Sequence, residues 1–136
     1  MPQEREPEAL VADLMANGAV VVPAELPVAK VAAVLTDYDI GGVPVVDASG
    51  RLIGVVSQTD LLDYWASRGT SSGSDASLAR DVMTRPVVTI PGSASLSEAA
   101  RLMAERHVAR LVVVGDDPGI PLGLISDSDL IRVFPR

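Results

Sequence analysis

The chain states one pattern twice, and that duplication limits its fold more than any other feature. Gly54-Val55-Val56-Ser57-Gln58-Thr59-Asp60-Leu61 returns 69 residues later as Gly123-Leu124-Ile125-Ser126-Asp127-Ser128-Asp129-Leu130. At a shift of 68, Asp13 and Met15 fall on Asp81 and Met83, Pro23 on Pro91, Ala32 on Ala100, and Val45-Val46 on Val113-Val114. A single extra residue between Val114 and Gly123 accounts for the change of shift. The two copies fill nearly the whole chain. Each is too small to bury an adequate core alone, so the copies are expected to pack on one another.

Composition says what that shared core is made of and which partners it excludes. Apolar residues are 48% of the chain and aromatics only 3%, so Val, Leu, Ile and Ala must build the interior. Runs such as Val20-Val21-Val22 and Leu111-Val112-Val113-Val114 suit strands buried on both faces. Net charge is −7, with one lysine, Lys30, and arginines scattered without a basic stripe. That pattern lacks the electrostatic footprint of a nucleic-acid binder and disfavours anionic lipid. Cysteine is absent, which removes disulfides and thiolate metal sites. The charged start lacks the apolar core of a signal peptide, and no apolar run reaches membrane-spanning length. The expectation is a cytoplasmic protein.

Residues 1–7 read as a disordered acidic lead, 8–68 as the first repeat, 69–76 as a flexible linker and 77–136 as the second repeat. In the first repeat, a short amphipathic helix over Glu8–Met15 stops at Asn17-Gly18, and Ala19–Val22 follows as a strand. A helix begins at Pro27, carries Val28, Val31, Val34, Leu35 and Tyr38 on one face, and ends at Gly41-Gly42. Strands over Val43–Asp47 and Arg51–Val56 flank the turn Ala48-Ser49-Gly50, and a closing helix starts at Ser57. The second repeat keeps the order: a lead helix over Leu78–Met83, a strand over Val87–Ile90, and a helix from the capping box Ser95-Leu96-Ser97-Glu98 to about Arg106. Strands over Leu111–Val114 and Leu122–Ile125 follow, then a helix from Ser126. The fold class is α/β (α+β), two tandem β-α-β-β-α units related by a pseudo-two-fold axis, each with a short preceding helix.

Ser57 with Asp60, and Ser126 with Asp129, form the spacing in which a serine caps a helix and the carboxylate folds back on it. The same geometry has a second use. A carboxylate where a strand passes into a helix can accept two hydrogen bonds from a ribose cis-diol, while neighbouring N–H groups and hydroxyls meet a phosphate. Capping alone explains neither the preceding glycines nor the duplication. Arg110 directly precedes a buried strand where the first copy has Gly42, so the two potential clefts should differ in anion binding. Val112 replaces Pro44 between the copies. His107 is the only histidine and sits near a helix end, where a cation complements the dipole. Asp116-Asp117 reads as a polar turn. Met15, Met83 and Met103 read as core, and Trp65 and Phe134 as equivalent aromatic caps or contacts.

Asp81-Val82-Met83-Thr84, Val87–Ile90, Ser95–Met103, Val43–Asp47 and the two Gly-x-x-Ser-x-x-Asp segments together resemble the tandem cystathionine-β-synthase (CBS) domain pair, or Bateman module. The resemblance covers about residues 9–134 and implies a stand-alone regulatory protein that binds an adenosine-containing ligand in clefts between the repeats. AMP, ADP or ATP rank ahead of S-adenosylmethionine and dinucleotides, and no cofactor is obligatory. The resemblance assigns ribose contacts to Asp60 and Asp129. Phosphate or cap contacts fall to Ser57, Thr59, Ser126, Ser128 and Arg110, and backbone adenine contacts to Val20, Val21, Val88 and Thr89. It also implies an effector protein and a homodimer, through the apolar faces of Val28–Leu35 and Leu96–Met103 together with the lead helices; the alternative is that those faces are wholly used within one chain. No metal or catalytic residue is expected, because no nucleophile–base pair is arranged. The alternative is a ligand-free dimerisation module whose clefts are filled by side chains.

Overall fold

A computed structural model describes residues 9–15, 20–68 and 76–134. The acidic lead, the Asn17-Gly18 stop and residues 69–75 of the linker lie outside them. In chain order the elements are α1 (Val11–Leu14), β1 (Val22–Pro23), α2 (Val28–Asp37), β2 (Gly42–Val46), β3 (Leu52–Ser57) and α3 (Gln58–Arg68). The second set is α4 (Ala79–Val82), β4 (Thr89–Pro91), α5 (Leu96–Arg106), β5 (Arg110–Val114), β6 (Pro121–Ser126) and α6 (Asp127–Val133). Two three-stranded sheets result, β1-β2-β3 and β4-β5-β6, each with a parallel first pair and an antiparallel second pair. Even the irregularities repeat, with register shifts at Val45/Val46 and Val113/Val114.

The valine runs behave as their composition requires. All five residues of β2 are buried, as are Leu111 to Val114 of β5. The first strand of each sheet is shorter and later than the apolar runs suggest: only Val22-Pro23 and Thr89–Pro91 pair. Both end at a proline, and the next N–H groups, of Ala24 and Gly92, still donate to Val46 O and Val114 O at 2.9 and 3.0 Å. Helix α5 starts where its capping box places it, with the Ser95 Oγ accepting from the Glu98 N–H at 3.1 Å. Its Leu96, Ala99 and Met103 face the interior, and His107 closes it in the left-handed conformation at φ 54°.

Helix α2 corrects one expectation. It ends at Asp37, and Asp39, at φ 53°, makes the left-handed reversal instead of Gly41-Gly42. Aspartate tolerates that conformation through its short polar side chain. The two glycines are thereby left for another task.

The lead helices are exchanged. Val11 of α1 is buried in the core of the second repeat, among Ile90, Leu96, Leu111 and Ile125. Ala79 of α4 is buried in the core of the first, among Val22, Val31, Val43 and Val56. Backbone bonds fix both: Val11 N–H donates to Ala94 O at 2.9 Å, and Ala79 N–H to Leu26 O at 2.8 Å. The repeated aspartates serve the same helices, since Asp13 and Asp81 accept from the N–H groups of Leu10 and Leu78 at 2.9 and 2.8 Å. Met15 and Met83 follow, and each lies against the glycine of a third strand. A Cβ on Gly54 would come 2.5 Å from the Met83 sulfur, and one on Gly123 2.7 Å from that of Met15. The glycines of the repeated motif are therefore sockets for methionine.

At the far ends of the hairpins the two repeats touch again. Arg51 makes a two-pronged pair with Asp117, at 3.0 and 3.1 Å, and Leu52 N–H donates to Gly119 O at 2.8 Å. Asp116-Asp117 is thus more than a polar turn. The Arg51 hydrogen bonds and the Gly119 N–H hold the Asp117 carboxyl below the ordinary carboxylate value, and Asp117 raises the Arg51 guanidinium in turn. Asp47 shapes the shorter turn, accepting from the Ser49 hydroxyl and from the N–H groups of Ser49 and Arg51. The Ser49 hydroxyl is the main cause of the lowered Asp47 carboxyl.

Candidate functional site

Each cleft between the repeats takes one wall from each. The first, of about 440 Å³, is lined by Val20 and Ile40 to Gly42 from one repeat, and by Gly123, Leu124, Ser126, Ser128, Asp129 and Arg132 from the other. The second, of about 280 Å³, is lined by Val87, Val88 and Val108 to Arg110, facing Val55, Ser57, Thr59 and Asp60. Under the repeat the walls correspond: Val20 with Val88, Gly42 with Arg110, Asp129 with Asp60.

Both carboxylates are held by their capping serines. Asp60 Oδ2 accepts from the Ser57 N–H at 2.7 Å and the Ser57 hydroxyl at 3.0 Å. Asp129 Oδ2 accepts from the Ser126 N–H at 2.8 Å and its hydroxyl at 3.0 Å. In return the Ser Oγ accepts from the aspartate N–H, at 3.2 and 3.3 Å. Capping therefore uses one oxygen of each aspartate and leaves the other, Oδ1.

Here the clefts part. Asp60 Oδ1 accepts from the Thr84 hydroxyl at 2.8 Å. Asp129 Oδ1 has Arg132 at 3.7 Å, beyond hydrogen-bond length, with the arginine 75% exposed. The residue matching Thr84 in the other half is Ala16, which carries no hydroxyl. Among the described residues, Asp60 has both oxygens hydrogen-bonded, whereas Asp129 Oδ1 has only the longer Arg132 ion pair.

Arg110 widens the difference. Its backbone belongs to the wall of the second cleft, at the start of β5 beside Ser126. Its side chain crosses to the first and lies on Gly41-Gly42. A Cβ at Gly41 would meet Arg110 Nη2 at 2.6 Å, and one at Gly42 would meet Cδ at 2.8 Å. The Nε is buried with no acceptor, and no described carboxylate pairs with the guanidinium. Asp39 lines the same cleft without pairing to it.

Most of the residues singled out from sequence fall in the clefts: Asp129, Ser126, Ser128, Arg110 and Val20 in the first, Asp60, Ser57, Thr59 and Val88 in the second. Val21 and Thr89 line neither. Val21 is exposed at the start of the first sheet, and Thr89 pairs with Val112 and faces an open groove beside Arg85 and Pro118. The strand-proximal residues one step earlier, Val20 and Val88, are the ones at the clefts. Thr84, Gly41 and Gln58 were not singled out as site residues. Thr84 follows the repeated Asp-x-Met pattern in the Asp81-Val82-Met83-Thr84 segment, a signal that could have been followed. No group of His, Asp or Glu among the described residues could hold a metal ion. No helix among them is long and apolar enough to cross a membrane.

The assembly faces differ from expectation. Val28, Val31 and Leu35 of α2, and Leu96, Ala99 and Met103 of α5, are buried within this chain's own cores. Trp65 and Phe134 also pack onto those cores.

Comparison with known proteins agrees with the duplicated architecture. The family model described as CBS domain matches residues 11–67 and 79–136. An uncharacterized protein of Methanopyrus kandleri is 32% identical over 106 residues, 78% of this chain and 53% of the relative. The chain thus spans about half the length of that relative. A CBS domain pair solved with 5′-methylthioadenosine and S-adenosyl-L-methionine superposes with a TM-score of 0.82 at 23% identity, covering 94% of this chain and 97% of that one. CBSX2 in complex with AMP superposes at 0.70 with 29% identity, covering 91% and 94%.

Proposed function

The chain belongs to the CBS domain family, and from that premise we propose that it is a regulatory module binding an adenosine-containing ligand in its first cleft. The observation that carries this reading is the placement of two groups across one cavity: Asp129 Oδ1, which has Arg132 at 3.7 Å but no hydrogen bond to the described residues, on one wall, and the Arg110 guanidinium, with its buried Nε unpartnered, on the other. A carboxylate oxygen suits the hydroxyls of a ribose, and an unpaired guanidinium suits a phosphate. Together they favour AMP, ADP or ATP over ligands without a phosphate. Relatives solved with AMP, and with S-adenosyl-L-methionine and 5′-methylthioadenosine, support the adenosine class.

Signalling would follow from cross-repeat construction. A ligand touching both walls favours the packing in which they stand at binding distance, and shifts the equilibrium by its affinity difference between states. The homodimer, the effector protein, the cytoplasmic setting and the non-catalytic role belong to this same proposal. A thermal-shift titration with AMP, ADP, ATP, adenosine and S-adenosylmethionine tests it. A ligand at a hundred times its dissociation constant should stabilise the protein by about 2.7 kcal/mol. Absence of any shift in the folded protein would favour a ligand-free assembly module.

A further inference from the structure

We propose that Gly41 sets the ligand specificity of the first cleft by holding Arg110 where a phosphate can reach it. This deepens the preceding reading and rests on it. An arginine that reaches across from the opposite repeat needs a surface to lie on. Acidic side chains commonly give one, but a paired guanidinium has spent its donors. Here the surface is bare backbone. The three nearest neighbours of a Cβ built at Gly41 are all atoms of Arg110: Nη2 at 2.6 Å, Cζ at 3.5 Å and Nε at 3.7 Å. Gly42 supports the aliphatic end in the same way, with Cδ at 2.8 Å and Nε at 2.9 Å. Packing therefore fixes the cation while no described acceptor consumes it.

Gly41 has no conformational need for glycine, since among the described glycines the positive φ that side chains rarely adopt belongs to Gly50. It also does not make the socket contact of Gly54 or Gly123. Its absent side chain is explained by the arginine alone. A methyl group at position 41 would push the guanidinium off its bed without touching the Asp129 wall. The ligand class selected by the bed is a nucleoside 5′-phosphate, against the same nucleoside without its phosphate.

The test compares AMP with adenosine by calorimetric titration of the full chain as wild type, Gly41→Ala and Arg110→Ala, with a thermal melt of each. Wild type should prefer AMP by about 10- to 100-fold, the worth of a charged hydrogen-bonded contact. Gly41→Ala should lose most of that preference while its adenosine affinity stays within about twofold, and should match Arg110→Ala. Since the Cβ meets only the end of a long side chain, the variant should melt like wild type. If it unfolds, Gly42→Ala poses the same question. A Gly41→Ala protein that keeps the full AMP preference overturns the proposal, with the adenosine reading intact. Wild type binding AMP and adenosine equally overturns the roles of both Gly41 and Arg110. Wild type binding neither overturns the adenosine reading as well.

Discussion

The two clefts share one design, a carboxylate capped by a serine three residues earlier, yet they offer a ligand different chemistry. In the smaller cleft Asp60 has both oxygens engaged, one by Ser57 and one by Thr84. In the larger, Asp129 Oδ1 makes no hydrogen bond to the described residues and shares the cleft with Arg110, a cation of its own repeat laid against the opposite wall. Both carboxylates cap a helix regardless of any ligand. The cap is common to both halves, and the clefts differ at two residues outside the repeated motif: Thr84 or its lack, and Arg110 against Gly42; on the proposed reading these two set which cleft binds.

That asymmetry can be broken most directly at the aspartates. Asp129→Ala should weaken adenine-nucleotide binding by about 10- to 100-fold, whereas Asp60→Ala should leave it nearly unchanged in the same titration. Equal losses would return the two clefts to equivalence. Next in size is the socket comparison, read from thermal denaturation. Gly54→Ala should cost about 1–3 kcal/mol through overpacking against Met83, and more than Gly123→Ala costs against Met15. The Gly54 clash involves three atoms, at 2.5, 2.8 and 3.1 Å, and the Gly123 clash only one inside 3.4 Å. Adding Met83→Ala to Gly54→Ala should recover part of the loss.

Thr84→Val sharpens the same contrast more gently. It should free Asp60 Oδ1 and raise the binding stoichiometry if Thr84 is what closes the smaller cleft; a stoichiometry that stays put assigns the difference to Arg110 alone. The smallest effect belongs to the distant pair. Arg51→Ala should shift the melting midpoint only slightly, because both partners are about half exposed. Its pH dependence has a definite sign. The Asp117 carboxyl is depressed in the folded protein, so the pair stabilises above the ordinary carboxylate value of 3.8 and the benefit is lost as pH falls through the lower folded value. Wild type and Arg51→Ala should therefore converge in strong acid.

What was legible in the sequence is what depends on near neighbours. Ser95 and Glu98 mark the start of α5, and Ser57 with Asp60 marks a strand-to-helix passage, because caps are local bonds. The pattern of apolar runs gave two β-α-β-β-α units, and the duplication gave their pairing. The exchange of α1 and α4 was not readable, because an apolar face does not say which core it enters. The Gly41-Gly42 pair looked like a helix stop, since its real neighbour, Arg110, lies far along the chain in another repeat. The Arg51–Asp117 pair spans 66 residues and hid for the same reason.

The exchanged lead helices carry a consequence for how such a chain can be divided. Cutting between the repeats would leave each fragment holding the helix that its counterpart needs. Two identical single-repeat chains could satisfy one another by the same trade, as in domain swapping. Joining them in one chain turns an encounter between molecules into an internal closure at high effective concentration. A duplicated gene of this kind keeps the mutual dependence of a dimer while removing its dilution limit, and its two halves become free to diverge, as Gly42 and Arg110 have.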